Sequence, residues 1–130
     1  MDYSQFGFIR MAAVAPIVSL ANPAANASTH IEHIRALEAE GVCLALFPEL
    51  SVTGYSCEDL FFGSDLLSAS REALIRIAQA CTTITAVVGI PWQLDDGTCV
   101  ASNSLLHQTF LARAELTVIY DSGNTQPMAP

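Results

Sequence analysis

The chain has 130 residues, 52% of them apolar and only 14% charged, with a formal net charge of −8 at pH 7. That length allows one domain at most, and the acidic balance, with five scattered arginines and no lysine, argues against nucleic acid and anionic lipid as partners. So high an apolar share in so short a chain predicts surface that packs against a partner or against further parts of a larger fold.

Phe8 to Val18 reads as a buried first strand, with Pro16 near its end, where a missing N–H is tolerable. A signal peptide competes for this segment, because Arg10 precedes the apolar Met11 to Leu20 and Ala25-Asn26-Ala27 has the small residues of a cleavage site. Against it, Asp2 and aromatic residues lie upstream, and Pro16 and Ser19 interrupt the run. No stretch reaches the roughly 18 uninterrupted apolar residues of a membrane span. Ala21 to Ala27 reads as a loop. Ser28 or Thr29 then caps a first helix: Thr29 with Glu32 has the capping-box spacing, Ile31, Ile34 and Leu37 recur at helical intervals, and Gly41 ends it.

Val42 to Phe47 is an apolar run that reads as a buried strand, delivering Glu49 into a loop that extends to about Phe62. A second helix is predicted over Ser68 to Cys81, with Leu74, Ile77, Ala78 and Cys81 as its apolar stripe and Arg71, Glu72, Arg76 and Gln79 on the wet side. Thr83 to Ile90 is β-branched and nearly continuous, suited to an inner strand covered on both faces and ended by Pro91. Asp95-Asp96-Gly97 signals a turn before a further strand near Val100 to His107. Val118 to Tyr120 could add a short last one, and the final residues read as unstructured. Strand–helix–strand–helix–strand order favours parallel pairing with right-handed crossovers, hence an α/β fold.

Glu49 is the first candidate for chemistry. An acid at the end of a buried strand faces a crevice, and apolar walls would raise its pKa toward that of a general base working near neutrality. The alternative is a structural Glu accepting backbone N–H bonds in the following turn. Cys43, Cys57, Cys81 and Cys99 are widely spaced with no Cys-x-x-Cys pair, which predicts reduced thiols; Cys43 and Cys81 read as small packing residues. Cys57 has no activating base or cation near it in sequence. His30, Glu32 and His33 could share a metal, but a further ligand is not identifiable. Glu58 and Asp59 are the acidic pair of a solvated helix start or a surface for a polar substrate or a neighbouring subunit. Neither Gly-x-Gly-x-x-Gly nor the Walker pattern is present.

Phe47-Pro48-Glu49-Leu50 followed by Thr53-Gly54-Tyr55 resembles the glutamate motif of the nitrilase (carbon–nitrogen hydrolase) superfamily. Ser56-Cys57-Glu58-Asp59-Leu60-Phe61 narrows the likeness to the glutaminase domains of glutamine-dependent NAD synthetases. Phe8-Ile9-Arg10-Met11-Ala12-Ala13-Val14-Ala15 and Val87-Val88-Gly89-Ile90-Pro91 fall in the family's order around it. The resemblance covers residues 6 to about 97. It implies that 1–97 are the N-terminal part of a nitrilase-like glutaminase domain, a partial α–β–β–α sandwich, and that 98–130 are a divergent, partly unstructured end.

The family's reaction joins a Glu base, a Lys that stabilises the oxyanion and a Cys nucleophile. Only Glu49 carries over, since an arginine does not replace that lysine. Tyr55 would line the glutamine pocket or else pack over the loop, and Asn103 would stand at the family's asparagine before its next strand. ATP and deamido-NAD would belong to a separate synthetase domain, with no metal or other cofactor in this chain. The expected setting is cytoplasmic, with glutamine as the substrate of the complete domain, a homo-oligomer formed over uncovered strand edges, and a chain inactive by itself. Two alternatives stand beside it: part of another nitrilase-type amidase, and a non-catalytic interaction subunit or remnant.

Overall fold

The computed structural model describes residues 4–93, 99–106 and 117–119. Among these, one sheet runs in the order β1 (Met11–Ala13), β2 (Leu44–Leu46), β3 (Thr85–Gln93), β4 (Cys99–Leu106) and β5 (Thr117–Ile119). Helix α1 (Pro23–Ala39) crosses from β1 to β2 and α2 (Ser64–Ala80) from β2 to β3, so these three strands pair in parallel, with Ala12 beside Ala45 and Ala45 beside Ala86. The last two pairings are antiparallel, with Gly89 beside Asn103 and Ser104 beside Val118. No helix among the described residues is long and apolar enough to cross a membrane. The expected turn at Asp95-Asp96-Gly97 and the chain's final residues lie outside the described residues.

Helix α1 begins well before the expected Ser28 or Thr29. Asn22 is its N-cap, its Oδ1 accepting the Ala25 N–H at 3.1 Å, and Pro23 occupies the first turn, where a missing N–H goes unneeded. Ser28 and Thr29 sit inside the helix and donate back to the carbonyls of Ala24 and Ala25, at 3.2 and 3.3 Å. At the other end Gly41, at φ +74°, lets Val42 N–H reach the Leu37 carbonyl at 3.0 Å.

Helix α2 also starts earlier than its stripe suggested, because Leu66 and Leu67 are buried and extend the same face by a turn. Arg71, Glu72, Arg76 and Gln79 are exposed, as expected. Arg76 donates across to α1, to the Ala24 carbonyl at 3.3 Å and the Ser28 hydroxyl at 3.2 Å.

The core fills the space between the helices and one sheet face, where Ile34, Ala45, Ile77, Ile84, Ala86, Val88 and Ile90 are wholly buried. Three sequence readings give way here. The first strand is short and lies at the sheet edge, not in the interior, with Met11 52% and Ile17 92% exposed. Thr85 and Val87 are only half-buried, so β3 is fully covered on the helix side alone. And β3 runs through Pro91 to Gln93. The carbonyls of Val87 and Gly89 point toward the β2 side, to Phe47 and Val52, and strand alternation sends the missing N–H of Pro91 the same way, off the β4 ladder.

Candidate active site

The motif around Glu49 leaves β2, which lies between β1 and β3, at that strand's C-terminal end. Phe47 N–H makes the last rung, to the Val87 carbonyl at 2.9 Å, and the chain then folds on itself. Ser51 N–H donates to the Pro48 carbonyl at 3.2 Å, while Thr53 and Gly54 N–H donate to the Leu50 carbonyl at 3.1 and 2.7 Å. Leu50 stands at φ +53°, a left-handed conformation costing about 1–3 kcal/mol that persists only where the surroundings hold it.

Gly89 is the floor of this turn. A Cβ there would lie 2.5 Å from Leu50 N, 2.6 Å from Glu49 Cα and 2.7 Å from the Pro48 oxygen, all backbone atoms that cannot swing aside. The Glu49 backbone therefore lies directly on β3, and Val52 N–H bonds the Gly89 carbonyl at 3.3 Å.

Two buried polar side chains brace the turn from α1. Asn26 donates through Nδ2 to the carbonyls of Ser19 and Val52, both at 2.8 Å, and accepts the Ser19 N–H at 2.7 Å, joining the β1 exit, the helix and the glutamate turn. Ala21 N–H adds a bond to the Thr53 carbonyl at 2.8 Å.

His30 is fully buried, its ring 4.4 Å from that of Phe47. Its Nδ1 faces the Asn26 carbonyl at 2.7 Å and its Nε2 the Ser51 hydroxyl at 2.9 Å. A carbonyl only accepts, so Nδ1 carries the hydrogen. Burial first, and the nearby His33 charge with it, hold the imidazole below its ordinary 6.5 against the opposing pull of the Asn26 carbonyl. The ring is thus neutral, and Nε2 accepts from Ser51 Oγ–H.

Glu49 itself is exposed, and Tyr55 is 59% exposed, so the apolar walls expected around the carboxylate are not formed by the described residues. The metal reading fails: both His30 nitrogens are engaged, Glu32 and His33 are exposed, and no group of three ligating side chains occurs among the described residues.

Cys57 is buried, its thiol donating to the carbonyls of Thr53 at 3.3 Å and Gly54 at 3.6 Å at the head of a short 3-10 turn, Glu58–Phe62, in which Glu58 and Asp59 are exposed. Cys81 packs as expected, and burial, helped by the Glu38 charge, pushes its thiol up to about 12. Cys43 does not pack: it follows buried Val42 on the opposite side of the extended chain and is exposed.

The arrangement offers a carboxylate on a fixed turn, able to take a proton from a group brought beside it. The bracing roles of Asn26, His30 and Ser51 and the steric role of Gly89 escaped the sequence reading. The Asn22-Pro23 pair was the available signal, because a helix starting there sets Asn26 and His30 one turn apart on a single face.

The carbon-nitrogen hydrolase family model matches residues 10–114, past the Gly97 boundary set from sequence. A glutamine-dependent NAD(+) synthetase from Mycobacterium tuberculosis is 38% identical over 89 residues, 67% of this chain and 13% of that protein. The chain thus spans a small part of the curated relatives it matches. A glutamine-dependent NAD(+) synthetase structure from Cytophaga hutchinsonii superposes with a TM-score of 0.72 at 28% identity, over 76% of this chain and 17% of that one. A nitrilase-superfamily amidase from Nesterenkonia AN1 shares the fold, with a TM-score of 0.69 at 19% identity over 94% of this chain and 45% of that one.

Proposed function

Because the chain belongs to the carbon-nitrogen hydrolase family, we propose that residues 1–97 are the N-terminal part of a glutaminase domain that supplies ammonia for amidation of deamido-NAD. The observation that carries this reading is the Glu49 turn, seated on Gly89 at the end of an interior parallel strand within the stretch matched by the family model. Glu49 acts as the proton acceptor for a cysteine attacking the glutamine side-chain amide and returns the proton to the departing ammonia. Tyr55 lines the substrate pocket.

The tetrahedral intermediate needs a cation for its oxyanion, and this chain has no lysine to supply it. Cys57 and Cys81 are buried and the exposed Cys43 stands at the opposite end of β2 from Glu49, so on this reading the nucleophile comes from elsewhere in the complete domain. The chain contributes the base alone, and residues 98–130 take no catalytic part. ATP and deamido-NAD fall to a separate synthetase domain, and the whole works as a cytoplasmic homo-oligomer. Lysine's absence favours one second reading, a non-catalytic interaction subunit on the same fold.

Ammonia release from glutamine tests the proposal. The chain, Glu49→Gln and Cys57→Ser should give three equal buffer baselines, because removing one member of a nucleophile–base–oxyanion set already costs several powers of ten. Residues 10–97 should then replace the matching segment of the Mycobacterium tuberculosis relative. The exchanged enzyme is expected to release ammonia, and Glu49→Gln within it to lower the rate by about 10²- to 10⁴-fold. An exchanged enzyme indifferent to Glu49→Gln would overturn the assignment, and a folded but inactive one would favour the interaction subunit.

A further inference from the structure

We infer that His30 and Ser51 are positioning residues for Glu49: the imidazole, buried under the glutamate turn, latches the Ser51 hydroxyl and so fixes the backbone that carries Glu49 on β3. This rests on the Glu49 reading above, but its test does not depend on catalysis. Ser51 stands two positions past Glu49 and one past Leu50, whose left-handed backbone needs outside restraint. The restraint comes through one side chain. His30 is held at Nδ1 by the Asn26 carbonyl and against the Phe47 ring, and it presents Nε2 to Ser51 at 2.9 Å. Ser51 and Thr53 are buried polar residues and Val52 is wholly buried, so the turn beyond Glu49 is shielded from the solvent that would replace a lost partner.

The groups in contact with the imidazole are Asn26 on its own helix and Phe47 and Ser51 on the β2 side, all uncharged; the nearby titratable group is the exposed His33, whose electrostatic influence also disfavours a proton on His30. A proton on Nε2 would place an ion in this dry site and take away the acceptor for Ser51. The Ser51 hydroxyl could turn to accept, but its own hydrogen would then lack a partner. In an opened turn, water reaches the ring and its affinity for a proton returns toward the ordinary 6.5. Because the open form binds the proton more readily, opening is suppressed above that value and grows as the pH falls below it.

The test is hydrogen exchange by mass spectrometry on the full chain, corrected for the intrinsic rate at each pH, about one unit above and one below 6.5. On acidification, protection across 48–55 is expected to fall by up to about tenfold while 85–90 in β3 holds. His30→Gln places an amide oxygen where Nε2 accepts and cannot titrate, so it should keep the turn protected at both pH values. Ser51→Ala should leave the turn open at both. Unchanged protection of the original chain at low pH, an equal acid loss in His30→Gln, or a parallel loss in β3 would each overturn the inference, the last by making His30 a residue of global stability. Failure of the glutaminase reading appears only in the ammonia assay.

Discussion

One methyl group at Gly89 would collide with three backbone atoms of the Glu49 turn. Gly89→Ala should therefore cost roughly 1–3 kcal/mol in a urea melt, the range for forced overpacking, and should raise hydrogen exchange across 48–55 as the turn lifts off β3. Gly41→Ala supplies the contrast, since a Cβ there meets nothing within 4 Å and the cost, of about 1 kcal/mol, comes only from its φ of +74°. That variant should leave the turn's exchange unchanged. Glu49 was legible because a proline and an acid end an apolar run. Gly89 was legible only as part of a motif, because its role depends on a backbone contact between segments far apart in sequence. The bracing role of His30 was not legible for a similar reason: beside Glu32 and His33 it reads at most as one possible ligand until the helix phase turns it inward.

Helix α1 and strand β3 meet at a carboxylate. Glu38 Oε1 accepts the N–H groups of Thr82, Thr83 and Ile84 at 2.7, 2.7 and 3.1 Å, and the Thr82 hydroxyl at 2.9 Å, a backbone nest at the entry to β3. Burial by itself would raise this carboxyl, but the amide bonds outweigh it and hold it below its ordinary 4.5. A depressed acid stabilises the fold above its unfolded value and loses that contribution as the pH falls through the folded one. Glu38→Ala should therefore melt below the original chain at neutral pH, and the gap in thermal midpoint should narrow as the pH drops below 4.5. The elements themselves were largely legible: the α2 stripe from its periodicity, the parallel pairing of β1, β2 and β3 from the alternation of strands and helices, and the strand at β4 from the turn signal before it. The start of α1 was not, because Asn-Pro-Ala-Ala-Asn reads locally as a loop and becomes a helix start only when Asn22 caps it. Pro91 misled for a related reason, since whether a proline ends a strand depends on which neighbour its missing N–H would have faced.

Over the molecule as a whole, the helices cover one face of the sheet, while Phe8, Ile9, Met11, Ile17, Leu20 and Leu46 remain exposed along the edge and the other side. An apolar row of this kind beside an edge strand predicts association of the isolated chain. Light scattering should find oligomers or aggregates, and a monodisperse monomer with a cooperative calorimetric melt would contradict it. The three-way junction at Asn26 also orders events in time. Its partners Ser19 and Val52 flank β1 and β2, so the amide can close its bonds only after α1 has docked on both. The glutamate turn is thereby expected among the late-forming parts of the chain, after the folding transition state. Loosening it should quicken unfolding and leave the refolding rate nearly unchanged, so the rim of the candidate site governs how long the native state lasts more than how fast it is reached.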